Sequence, residues 1–511
     1  MELVLETLRS VMSFPVLFNT FLGICLGVFI GAMPGLTATM GVAILLPLTF
    51  WLEPRAGLGM LLGIYSSAMF AAGISAILIN VPGTPAAIAS TFDGYALTRR
   101  GEARLGLWIN TVFSVMGGLV GVFCFAIASF PIARFALQFG PPEFTMIALF
   151  GLSMMVAVSG KTVLKGLLVG FIGLGISLVG MDAIWGVKRY TFGQVFLLDG
   201  ISFIPILIGM FGIGESLKQL SETNPLSVDE SKKIVESIRE ELKSKNKNVR
   251  KRLSLREMWG MKIPFALTNV IGVIVGAIPG TGGDIASIVS WTQCKNISKD
   301  RDNYGKGSVE ALAMTCAANN ACIGGAMTTM LTLGVPGDTV TAVLIGALMM
   351  YNFMPGPLLF KEQLGMVYSI IILLVVCNIF ILLIGNFSSK LFAKFAALPK
   401  SWISTAIVCF SLTGSYALSN SVTDVVICSS AGILGFFFSK ADFPSGPVIL
   451  ALILANMMES NLFRSLMLSK GSFSIFVTRP VSLVLLILII LALFMPEMIK
   501  RASGEKKEVT K

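Results

Sequence analysis

Four short segments place a Pro-Gly pair inside otherwise apolar stretches. They are Pro34-Gly35-Leu36-Thr37, Pro82-Gly83-Thr84, Pro279-Gly280-Thr281-Gly282 and Pro336-Gly337-Asp338-Thr339. Proline lacks an N–H and frees a carbonyl, while glycine lets backbone come close to a ligand. A helix restarting after such a break aims its free N–H groups and positive dipole end forward. That holds an anion without a fixed cation. No Lys or Arg interrupts the four segments, so backbone N–H groups and hydroxyls would have to supply the positive field. One isolated break reads as a proline kink; two matched pairs point to a binding site.

Polar residues gather round the breaks: Thr37 and Thr39; Ser75, Asn80 and Thr84; Thr281; Thr328, Thr329 and Thr339. Each can line a cavity or satisfy helix backbone in lipid. Asp284 and Asp338 follow breaks directly, which suits coordination of a coupling cation, Na+ or H+, or capping of the restarting helices. Asn319-Asn320 sits in a run of small residues, where two amides can bind carboxylate or Na+ or bond between helices. Glu310, Asp424 and Glu459 are further carboxylates in apolar context. Glu459 lies five residues before Arg464, which suggests a structural ion pair.

These segments lie in a chain of 511 residues that is 55% hydrophobic and only 13% charged, with mean hydropathy +0.83. A soluble domain carries about 25% charge, so a membrane protein is expected. At about 20 apolar residues per span, about 12 transmembrane helices fit, within a range of 10–14. A β-barrel needs short alternating segments and is excluded by the long continuous runs. Histidine is absent, which removes His-ligated metals, catalytic triads and His relays. The eight cysteines form no CxxC and suit buried packing. A GxxxxGK[ST] motif is absent too, so nucleotide-driven pumping has no support. No enzyme, resident metal or cofactor is expected.

The net charge of +11 is concentrated beside apolar spans. Residues 218–262 hold 12 basic and 7 acidic residues, and 497–511 hold 5 and 3. This is the positive-inside pattern, not the footprint of a nucleic-acid binder. The expected organisation is a first membrane repeat over 1–218, a basic cytoplasmic linker over 219–260, a second repeat over 261–498 and a cytoplasmic tail over 499–511. The repeat is carried by spacing: 245 residues separate Pro34 from Pro279, and 254 separate Pro82 from Pro336. Basic loops at 98–104 and 389–400 count as inside, and the weakly charged loop 351–363 then falls outside, so the repeats are inverted. The same count puts Lys188 and Arg189 outside, against the rule. The fold class is thus an all-α polytopic membrane protein with Pro-Gly-broken or re-entrant helices in two inverted repeats, the pattern of secondary transporters. An ion channel and a membrane-embedded enzyme are the competing classes.

The chain resembles TctA, the large membrane subunit of the tripartite tricarboxylate transporters, from about Pro15 to Met495. GAMPGLTATM (31–40), ILINVPGTPAAIASTFDGYALTRRGEA (77–103), VGMDAIWGVKRYTFG (179–193), AIPGTGGDIAS (277–287), AANNACIGGAMTTMLTLGVPGD (317–338) and MMESNLFRSLMLSKGSFSIFVTRP (457–480) carry the likeness. It departs at Thr315-Cys316, where the family has Pro-Glu. The resemblance implies ion-gradient-driven import of a di- or tricarboxylate across the bacterial cytoplasmic membrane. It also implies a small TctB-like membrane subunit and a periplasmic TctC-like binding protein as partners.

The charge count has a direct test. Single cysteines placed in the linker 219–260 and in the tail should resist an impermeant thiol reagent in intact cells, and one in 352–363 should react. Labelling of the linker from outside would remove the inverted-repeat argument.

Overall fold

A computed structural model describes residues 2–33, 35–158, 163–182, 184–221, 252–395 and 400–502. Pro34, most of the basic linker (222–251), Lys161 and most of the tail (503–511) therefore lie outside the described residues. Among the described residues the protein is all-α apart from a two-stranded hairpin, Gly180–Met181 paired antiparallel with Lys188–Arg189. Among the described residues, seven helices are long and apolar enough to cross a membrane, and five shorter apolar helices of 10–17 residues accompany them.

Eight helices carry the breaks. In the first half they are α1 (Phe14–Ala32), α2 (Ala38–Thr49), α3 (Pro54–Ile79) and α4 (Ile88–Arg99). In the second half they are α5 (Lys262–Ala277), α6 (Gly282–Ile297), α7 (Val309–Leu333) and α8 (Thr339–Met350). The 12 residues of α2 and of α8 rise about 18 Å at 1.5 Å per residue, well short of a hydrocarbon core of about 30 Å. The 26-residue α3 reaches about 39 Å on the same rise. In each half a helix of 25 or 26 residues is thus accompanied by a 12-residue one that ends or begins at a break.

The halves are built alike. Gly23, Gly27 and Gly31 form a stripe on α1 that brings its backbone against Met60, Ile64 and Ala68 of α3. Gly272 and Gly276 of α5 meet Ala318 and Cys322 of α7 in the same way. Small residues permit this contact, since apolar lipid supplies no hydrophobic drive between helices. Asn80 and Gly334 both end their long helices in the left-handed region, at φ 57° and 74°. Gly35 and Gly280, also matched, have φ of 92° and 80°.

Gly83 and Gly337 are the tightest matched pair. A Cβ on Gly83 would lie 1.9 Å from the Gly31 carbonyl oxygen and 3.0 Å from Ala72 Cα. On Gly337 it would lie 2.2 Å from the Gly276 carbonyl and 2.6 Å from Ala326 Cα. The space that sequence reading reserves for ligand approach is thus filled by helix backbone at both positions.

Two compact units form. Residues 1–134 and 204–440 make the first, which holds all eight break helices; residues 135–203 and 441–511 make the second. Each combines two stretches that are separate in the chain. Within the first unit, α3 and α7 are buried along nearly their whole length. Within the second, Glu143 is buried and accepts hydrogen bonds from Gly140 N and Arg479 at 2.8 Å each and from Ser482 at 3.2 Å. Arg189 grips Glu459 with both terminal nitrogens. Glu459 therefore pairs across 270 residues and not with Arg464 on its own helix, because the hairpin carries Arg189 to it. Asp182 accepts the N–H groups of Ile184 and Trp185 at 2.7 and 3.1 Å. Those bonds, with Arg189 nearby, hold its carboxyl below the usual carboxylate range.

Gly83→Val and Gly337→Val should each destabilise the fold by about 4 kcal/mol or more, as backbone overlaps of this size belong to the severe tail of substitutions. Both should lose monodisperse protein on size exclusion. Gly170→Ala, where nothing lies within 4 Å, should leave the profile unchanged. Well-folded Gly83→Val protein would contradict the packing.

Candidate functional site

The restarting helices pair across the halves. Thr39, near the start of α2, and Thr339, at the start of α8, share a 2.7 Å hydrogen bond between hydroxyls. Ser287 of α6 donates at 2.9 Å to the carbonyl of Ala86, just ahead of α4. So α2 meets α8 and α6 meets the start of α4, an exchange consistent with a two-fold relation between the halves. The two breaks of the second half are joined directly, Gly280 N donating to the Gly337 carbonyl at 2.8 Å.

Asp338 caps α8. Its Oδ1 accepts Thr341 N and Thr341 Oγ1, both at 2.7 Å, and its own N–H is met by Thr341 Oγ1 at 2.9 Å. Its Oδ2 accepts the hydroxyl of Tyr65, a fully buried side chain of α3. A buried carboxylate needs this set of donors. Asp338 thus takes the capping role that sequence reading holds open beside cation coupling.

The matched positions look different. Asn319 of α7 donates from Nδ2 to the Met69 carbonyl at 3.1 Å, but its Oδ1 has no partner. Thr84 Oγ1 is likewise without a partner. Both residues are 4% exposed. Asp284, in the first turn of α6, is exposed; Ser287 Oγ donates to its backbone carbonyl at 3.1 Å, and among the described residues no side chain bonds its carboxylate. Gly283 beside it packs directly under Asn319 Oδ1 and Ala86.

Most of the remaining expected site residues serve the local backbone. Thr37 caps α2 by accepting Met40 N at 3.1 Å. Thr281 closes the end of α5 by donating to the carbonyls of Val275 and Ile278. Asn320 bonds the Cys316 carbonyl of its own helix at 3.1 Å, so of the two adjacent amides only Asn319 reaches across helices. Leu36 packs with Met33, Met40, Ile44 and Ile407. Asn80 is exposed at its cap, Pro82 is half-buried, and Pro279 and Pro336 are buried. Gly282, at φ 60°, lies against Asp338. Glu310 accepts the Tyr304 hydroxyl at 2.9 Å.

Two residues escape sequence reading. Tyr65 is one, a lone hydroxylated aromatic in a small-residue helix. Asp93 is the other. Its Oδ1 accepts Gly305, Gly307 and Ser308 N–H at 2.9, 3.0 and 2.8 Å, and its Oδ2 accepts Trp291 Nε1 at 2.9 Å. It clamps α4 to the chain after α6. Its position in the polar run Asp93-Gly94-Tyr95 was the available signal.

The fold and this cluster define a polytopic helical membrane protein whose broken helices meet between two structurally matched halves. The chain belongs to the Tripartite tricarboxylate transporter TctA family, whose family model matches residues 17–450. The family is one of tricarboxylate transporter components, which points to transport. It is 33% identical over 466 residues, 91% of this chain and 90% of the relative, to an "uncharacterized 52.8 kDa protein in TAR-I ttuC' 3'region" of Agrobacterium vitis. It is 31% identical over 215 residues, 42% of this chain and 89% of the relative, to an "uncharacterized protein in TAR-II ttuC' 3'region" of the same organism. No solved structure matches.

The Tyr65–Asp338 contact can be measured. A double-mutant cycle of Tyr65→Phe and Asp338→Asn on thermal unfolding in detergent should give a coupling of about 0.5–3 kcal/mol, as for residues in contact. Additive effects would mean that the bond is not made.

Proposed function

We propose that the chain imports an organic di- or tricarboxylate across the bacterial cytoplasmic membrane by ion-gradient-driven secondary transport, as the large subunit of a tripartite system. The observation that carries the reading is the meeting of paired broken helices from two matched halves, in a chain of this family. The substrate lies beside the converging breaks, against the starts of the restarting helices near Thr37, Thr84, Gly282 and Thr339, and not at Gly83 or Gly337, where backbone fills the space. Free N–H groups at the restarting helices provide its positive field, since these segments hold no Lys or Arg. The halves run in opposite senses, so moving one bundle against the other exposes the site to either side in turn. The linker and C-terminus face the cytoplasm. A coupling cation bound close by offsets part of the substrate charge, which makes the two bindings mutually favourable.

The partners are a TctB-like membrane subunit and a periplasmic TctC-like binding protein. Reconstituted alone in liposomes, the chain should take up labelled carboxylate poorly or not at all, and adding both partners under an inward ion gradient should restore uptake. Full-rate uptake by the isolated chain would refute the tripartite reading; uptake that ignores the gradient would refute the coupled one.

A further inference from the structure

Residues 177–203 and the helix Gly446–Leu468 line a cavity of about 350 Å³ within the second unit. None of its lining residues belongs to a break helix. Its charge is lopsided: Asp182, Asp199 and Glu459 stand against a single Arg189, a formal balance of −2. Arg189 gives both terminal nitrogens to Glu459, and Asp182 is held by the N–H groups of Ile184 and Trp185. Asp199 is exposed, and among the described residues no hydrogen bond or ion pair reaches its carboxylate. Val179, Leu452 and Phe463 add an apolar wall. This balance repels a carboxylate substrate. A ligand with an aliphatic stem and a cationic head suits both walls, which describes a lysine or arginine side chain.

The same segment presents aromatic rings outward. Trp185 and Tyr190 directly follow the lining residues Ile184 and Arg189 and are exposed, and Phe192 is 83% exposed. Tyr190 and Phe192 hold φ of 51° and 46°, a left-handed conformation that bulky side chains rarely adopt. Such strain persists only where surrounding structure imposes it, and it gathers at functional sites. Here Asp182 N donates to the Val187 carbonyl and Gly186 N to the Asp182 carbonyl, both at 2.9 Å, which pins the turn. Rings set in place before a partner arrives lower the cost of binding it. Among the described residues from 182 to 202, only the strand Lys188–Arg189 and the short turn Val195–Leu197 are regular. Irregular backbone does not survive facing hydrocarbon, so the segment lies beyond the lipid core, and the charge count puts Lys188 and Arg189 outside. A phosphate-bearing lipid surface gains nothing from a carboxylate-lined cavity, whereas aromatic anchors beside a charged pocket are the anatomy of a protein interface. We propose that this face docks the soluble periplasmic binding protein, which seats a lysine or arginine side chain in the cavity against Asp199 and packs apolar side chains on Trp185 and Tyr190. The inference rests on the tripartite reading for the identity of the partner.

Binding of the purified binding protein to the full-length chain in lipid nanodiscs, with and without the small membrane subunit, provides the test, read by biolayer interferometry. Asp199→Lys and Trp185→Ala should each raise Kd by about tenfold or more, the scale of charged and aromatic hot-spot residues. Asp199→Asn should raise Kd less than Asp199→Lys does and flatten its dependence on NaCl, because the amide keeps the space and loses the charge. Both side chains are exposed and Asp199 has no bond to lose, so the variants are expected to fold and to keep the wild-type size-exclusion profile. Phe171→Ala, which removes an exposed ring from the apolar helix Val163–Ser177, should leave Kd unchanged. Wild-type Kd in both Asp199→Lys and Trp185→Ala would overturn the docking site, give the rings to the membrane interface and leave the tripartite reading standing. Loss of the small membrane subunit from the purified complex in these variants, with Kd for the binding protein unchanged, would give the face to that subunit and overturn the proposal. Weakened docking in the variants together with failed uptake by the complete wild-type system would keep the docking site and sink the transport reading. No binding to the wild-type chain in either setting would overturn both.

Discussion

A helix that stops within hydrocarbon leaves backbone N–H and carbonyl groups with no water to meet them, and the rest of this structure follows from how that problem is met. Three of the breaks survive because other backbone lies against them. Gly83 sits on the Gly31 carbonyl and Gly337 on the Gly276 carbonyl. Gly280 N reaches the Gly337 carbonyl, and Thr37, Thr281 and Asp338 occupy the exposed ends with side-chain bonds. Contact this close requires residues without bulk. The glycine stripe of α1 and the alanine- and glycine-rich length of α7 are therefore consequences of the breaks as much as features beside them.

Once the backbone is satisfied, few polar atoms near the breaks remain free. Most hydroxyls that flank them bond a carbonyl one turn back, as Thr328 does with Gly324 and Ser75 with Ala72. Polar composition around a break is thus a poor guide to a ligand, and accounting for each donor and acceptor is a better one. That accounting separates Asn319 from its neighbour Asn320, and Thr84 from its counterpart Asp338. It also shows that the two halves, though similar in build, satisfy their polar groups differently, Asp338 with Tyr65 and Thr341 and Asn319 with only one of its two polar atoms.

The long-range clamps obey the same rule with charge. Asp93 is fully buried and meets four donors; Glu143 meets three groups, one of them Arg479. Each ties together segments far apart in the chain, and a buried carboxylate stripped of such partners is strongly destabilising. These residues read in sequence like any acidic residue near a span, and only their partners reveal that they hold the architecture.

The sequence alone was enough to establish the class. Apolar length, low charge and the absence of histidine demanded a helical membrane protein without His chemistry, and Pro-Gly spacing marked where helices would stop. Those properties are local or periodic, so they survive without coordinates. Which carboxylate caps and which stays open was decided only by tertiary structure. Asp284 and Asp338 look equivalent in the chain, each just beyond a break. Asp338 becomes a cap because Tyr65 arrives from 273 residues away, and Glu459 finds Arg189 and not Arg464 because a hairpin delivers it. A hydrogen bond depends on angles and distances between segments, and spacing along one segment does not encode them.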